Sequence, residues 1–233
     1  MVDPGIADRA DGAARLAGMV GLVVVGMAVA LGAFIQLQDH GGPPEVVPRS
    51  VVIPALYATA GVVAIIASYQ RRSPVVMAAG VACLVGIILS IAVIPFVIPG
   101  ILLLATGARI TPDAGRPGRD GAVAAAVVVL IVGAGVALLA TTGGRCWEET
   151  GTAASPTYTV TACDNGSGAE GNGQAVGGEA GSGTEVIGSG YDGGALTLTG
   201  AALEAALLLV TITLVVATAR AGAGSTMASH PSS

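Results

Sequence analysis

Lysine is absent from this chain: all ten basic residues are arginine. Charge of either sign is scarce, at 11% of residues, where soluble domains carry about 25%. Aromatic residues make up only 3%, with a single Trp and two Phe. His40 and His230 stand far apart, and no CxxC or His–Cys cluster occurs; no metal centre is expected, because a structural zinc site needs four converging ligands. GxSxG, HExxH and Walker patterns are also missing, and the glycine-rich stretch has neither the lysine nor the following helix of a phosphate loop. These absences point away from an enzyme, and neither catalytic residues nor a cofactor is expected.

The lack of lysine has two readings. One is the codon usage of a GC-rich genome, which also favours the abundant Ala, Gly and Val. The other is selection of the guanidinium fork for phosphate headgroups, which it grips bidentately. The sequence does not position its arginines in a way that prefers the second reading.

What the chain has in abundance is apolar length. Hydrophobic residues account for 53% and mean hydropathy is +0.79. Uncharged or nearly uncharged segments occupy residues 16–38, 50–70, 73–108, 121–144 and 194–219. Each shorter segment matches the roughly 20 residues needed to cross a bilayer as a helix. The expected fold is therefore an all-α polytopic membrane protein forming a single transmembrane domain over residues 1–233. The first segment follows an acidic start and outlasts the roughly 7–15 apolar residues of a signal peptide, so it reads as an anchor.

The third segment, thirty-six residues without a charge, decides the topology. If it crosses once, the arginines divide five against five between the two faces. If it returns to the face it left, they divide eight against two, with only Arg49 and Arg145 on the minority side. Positive residues concentrate on the cytoplasmic side, which favours the return and puts both termini in the cytoplasm of a prokaryotic plasma-membrane protein. Two arms of about 16 residues would each span about 24 Å at 1.5 Å per residue, short of the ~30 Å hydrocarbon core. The segment is thus expected to be a short hairpin or re-entrant pair broken at Pro95 and Pro99-Gly100, giving about six helices. The competing reading is one long helix kinked at those prolines.

The return also places residues 143–195 outside. Seven acids against Arg145 alone make this loop strongly acidic, which argues against nucleic acid or an anionic surface as its partner. Cys146 and Cys163 lie in it and are expected to pair in an oxidising exterior, closing a β-hairpin over 145–163 with its turn at 151–156. The glycine-rich residues 164–194 read as a flexible tether, and 221–233 as a disordered tail. Cys83 reads as a small buried hydrophobe. Tyr69 and Trp147 read as interfacial anchors.

Glu204 is the one ionisable residue embedded in an apolar segment, and such acids mark functional sites. Small residues recur every four positions at Ala78, Ala82, Gly86 and Ser90, at Ala60, Ala64 and Ser68, and at Gly133 and Ala137, a spacing that allows close helix contact. Two functions follow as expectations. The first is a non-enzymatic structural or accessory protein, embedded in the lipid bilayer, whose external loop meets another membrane or external protein. The second is a small-solute or ion permease built around Glu204.

Overall fold

The structure, a computed structural model, describes residues 4–38, 46–85, 91–110, 117–141, 143–152, 155–162 and 186–227. Among the described residues six α-helices follow one another: α1 (Pro4–Gln38), α2 (Arg49–Tyr69), α3 (Ser73–Val85), α4 (Val97–Gly107), α5 (Pro117–Thr141) and α6 (Leu198–Met227). Four of these, α1, α2, α5 and α6, are long and apolar enough to cross a membrane, and the chain is a helical membrane protein. The first helix starts earlier than residue 16 because Pro4 suits an opening helical turn, where its missing N–H has no partner to lose.

Helix α2 is the hub. Two thirds of its span is buried, against under a third for α1, α5 and α6, which turn much of their apolar surface outward. Its packing against α1 depends on glycine. A Cβ on Gly61 would lie 2.8 Å from the Gly21 carbonyl oxygen, and one on Gly21 would lie 2.9 Å from that of Gly61. The backbones therefore touch, which is how small residues create helix contacts in lipid. Ala60, Ala64 and Ser68, one of the expected small-residue rows, are buried on this helix. Gly133, by contrast, is exposed and meets nothing, so that row is not a packing seam.

The uncharged stretch 73–108 forms two short helices, with a 3-10 turn (Ile91–Phe96) leading into the second. Ser73 Oγ, at the start of α3, donates 2.7 Å to the carbonyl oxygen of Gly107, at the end of α4. The two arms are consequently antiparallel, and the stretch is not a single kinked helix. Midway, a Cβ on Gly80 would meet the Gly100 carbonyl oxygen at 2.9 Å. Pro99 does not break the chain: it lies in the first turn of α4, where a missing N–H costs no bond. Pro95 lies in the 3-10 turn, held by Phe96 stacked on Tyr57 at 4.1 Å between ring centroids.

A four-stranded antiparallel sheet lies at the opposite end of the bundle from Ser73 and Gly107. Its strands are β1 (Val46–Pro48), β2 (Gly143–Thr152), β3 (Ser155–Ala162) and β4 (Val186–Thr197), in the order β1-β4-β2-β3. A hairpin is present as β2–β3, but Gly151 and Thr152 pair with Pro156 and Ser155, so the strands run through most of the residues expected to turn, and two further strands correct the reading of its surroundings. Residues 186–194 belong to β4 and not to a tether, and α6 accordingly begins at Leu198 and not at 194. Glycine offers little side-chain surface, yet a strand held between two others is stabilised by backbone hydrogen bonds alone, which composition does not reveal. Residues 163–185 of that tether lie outside the described residues. The tail is corrected in part: α6 continues through residues 221–227, because extending an existing helix is far easier than nucleating one, while residues 228–233 lie outside the described residues.

Candidate functional site

The site splits into three places along the bundle axis. At the sheet end, Cys146 lies in β2 opposite Thr161, and Arg145 lies opposite Ala162. The hairpin register thus ends one residue short of Cys163, which itself lies outside the described residues. Sequence reasoning missed that the loop between α1 and α2 contributes β1, pairing Val46, Val47 and Pro48 with Thr197, Leu196 and Ala195. Pro48 is compatible with this strand because β1 is an edge. Strand β3 forms the other edge, and among the described residues it pairs with β2 alone.

Within the bundle, Glu204 is 1% exposed. It stands on the inward stripe of α6 formed by Gly200, Glu204, Leu208, Thr211 and Val215, all buried at helical spacing. Six residues into the helix, it lies about 9 Å below the sheet end. Neither carboxylate oxygen has a hydrogen-bond partner among the described residues. The side chains of Arg49 and Arg145, the partners its sequence position suggests, are outside the described set. A second feature here is a cavity of about 200 Å³ between α2, α3 and α5, lined almost wholly by apolar side chains, Leu56, Ala60, Val85 and Ile131 among them. Such a wall offers an ion or polar solute almost nothing to replace its hydration. Cys83 is free and buried.

No family model, curated protein or solved structure matches this chain. Its chemistry must be read from its own geometry.

The third place is the end carrying most of the arginines, and it holds what the sequence did not show. Arg72 is buried. Its Nε lies 3.5 Å from Asp120 Oδ1 at the start of α5, and its two terminal nitrogens donate to Thr218 Oγ1 at 2.9 Å and to the Thr218 carbonyl oxygen at 2.8 Å on α6. One guanidinium therefore joins the α2–α3 turn to two other helices. Its neighbour Arg71 turns the other way and pairs with Asp11 on α1. The turn explains the divergence. Arg72 N–H donates to the Ala67 carbonyl and Arg71 N–H to that of Ser68, the paired bonds of a Schellman cap with Arg71 at its left-handed position, φ 53°. The only available signal was Asp120 next to an apolar run, which reads equally well as a solvated helix end. Among the described residues, no group of three metal-ligating side chains converges.

Proposed function

We propose that this is a non-enzymatic accessory membrane protein that presents its sheet to a partner on the outer face. The observation carrying this reading is the dual origin of the sheet. Strand β1 comes from the α1–α2 link and β2, β3 and β4 from the α5–α6 link, so the sheet ties two separate helix pairs together. A partner docked there would meet a platform anchored to the bundle. The edge strand β3 supplies a row of backbone groups to which an extended segment of a partner can add. A Cys146–Cys163 disulfide would lock the free end of this strand, and the hairpin register supports it because it runs out next to both cysteines.

Both termini and the Arg71–Arg72 turn lie on the cytoplasmic face of a prokaryotic plasma membrane in this reading, with 73–108 a hairpin too short to cross fully. The bundle geometry supports that arrangement. Asp11, Arg71, Arg72, Gly107, Asp120 and Thr218 all gather at one end, through the contacts described above. Single cysteines at Asp113 and Ser167, in a background without the native three, test it with an impermeant label on intact cells. Labelling is expected at Ser167 only; labelling at Asp113 defeats the topology.

The second reading, a permease, is favoured by one feature: the unpartnered carboxylate of Glu204. Vesicle reconstitution separates the two. The accessory reading predicts no proton or ion flux from the purified protein, and a co-purifying partner that is lost when Thr159→Pro disrupts β3. Flux abolished by Glu204→Gln would replace it with the permease.

A further inference from the structure

We infer that the groove between α1 and α2, at the arginine-bearing end, is a binding site for the headgroup of an anionic phospholipid. The groove has a volume of about 440 Å³. Arg15 and Arg71 line it, together with the apolar Met19, Leu22 and Ile65, and along α1 Met19 and Leu22 follow Arg15 toward the middle of the helix. Met19 and Leu22 are more than half exposed, so the apolar part of the lining belongs to the outward surface of α1. Charged groups at one end and open apolar surface at the other match the two parts of a phospholipid. Tyr69, at the rim, is 86% exposed, as befits a residue at headgroup level.

The charges select the sign. Asp11 also lines the groove and neutralises one arginine through its pair with Arg71, leaving one positive charge in excess. That balance suits a headgroup of single net negative charge. The Asp11 oxygen in the pair is buried, but half of the Arg71 side chain stays exposed, so a phosphate can share the guanidinium from its open side. Arg72 cannot contribute, since Asp120 and Thr218 occupy it.

The backbone gives independent support. Glycine is the usual residue at the left-handed position of a Schellman cap, and a residue bearing Cβ is held there at a conformational cost. This chain uses glycine freely, at 36 positions, yet has arginine here. An unfavourable backbone at a position whose side chain reaches a groove points to a role for that side chain. This also gives the missing lysines a concrete meaning at two positions, because the planar fork grips phosphate oxygens in pairs.

The test uses the full-length protein in neutral detergent, offered equimolar phosphatidylglycerol and phosphatidylcholine of identical acyl chains, with bound lipid read by native mass spectrometry. A preference for phosphatidylglycerol is expected. Arg15→Gln and Arg71→Gly should each reduce it about fivefold, the effect of roughly one arginine near an anionic surface. Arg71→Gly relieves the left-handed strain, so its fold is expected to survive, with helix content by circular dichroism as the check. Arg109→Gln, an exposed arginine outside the groove, should leave the preference unchanged. Equal binding of the two lipids overturns the proposal, as does an equal loss in Arg109→Gln. Displacement of the lipid by inorganic phosphate, at ionic strength matched with chloride, would assign the groove to a soluble phosphate and overturn the lipid reading.

Discussion

Replacing Asp120 by alanine should destabilise the bundle far more than its position at a helix start suggests. The Arg72 side chain is 5% exposed and that of Asp120 is 7%, so the substitution removes the buried carboxylate facing a guanidinium that sits in a nearly water-free place. Breaking a buried pair by removing one member costs about 3–5 kcal/mol. Thr218→Val removes one hydrogen bond to a charged donor, about 1.5–3 kcal/mol, while the bond to the Thr218 carbonyl persists. The double exchange Arg72→Met with Asp120→Leu should cost less than Asp120→Ala alone. It strands no charge, and apolar replacement of a buried pair is often neutral.

The assay is unfolding in mixed micelles titrated with SDS, followed by circular dichroism, for the wild type, Asp120→Ala, Thr218→Val, Arg72→Met, Asp120→Leu and the Arg72→Met/Asp120→Leu double variant. A coupling of at least ~2 kcal/mol from this cycle is expected. Additive costs, or a loss under ~1 kcal/mol for Asp120→Ala, would show that the pair behaves as a solvated surface bridge and would refute the three-helix junction.

Gly61→Val and Gly80→Val should each prevent close helix contact, because even a Cβ would fall within 3 Å of a facing carbonyl oxygen; a loss of about 1–3 kcal/mol in the same titration is expected, and unchanged midpoints would refute the contacts. Glu204→Met should raise stability by about 1–3 kcal/mol, the usual cost of a buried polar group without a partner; a lowered midpoint would reveal a partner for the carboxylate. Protein taken from its native membrane with free thiols blocked should migrate faster on non-reducing than on reducing gels, and Cys146→Ser should abolish the difference.

The membrane class and the long helices were legible because apolar length is a local property, readable wherever twenty uncharged residues run together. The antiparallel course of 73–108 was legible only indirectly, through the division of arginines between faces. Its mechanism was not legible, since Gly80 and Gly100 meet across a fold that no local pattern encodes. Strands β1 and β4 escaped for a related reason. Val46-Val47-Pro48 is too short to announce itself, and β4 is held by neighbours on both sides instead of by its own glycine-rich composition. Glu204 stood out as the only charge within an apolar run. The Arg72–Asp120 pair did not, because each partner borders such a run, where charges are ordinary.

The same pair bears on how the arginine count should be read. Counting eight arginines on one face treats each as a free positive charge that resists crossing the membrane. Arg72 is not free in the folded bundle: Asp120 compensates its charge, and both lie buried. Insertion precedes this burial, however, because Asp120 and Thr218 follow Arg72 by 48 and 146 residues. In the proposed topology Arg72 acts first as a topological charge and later as a packing element, whereas Arg71 stays half exposed in the folded bundle. Exchanging Arg72 for methionine leaves seven arginines against two, so the orientation should survive while the helix junction weakens. Adjacent and chemically identical, the two residues are assigned different work by a single left-handed turn.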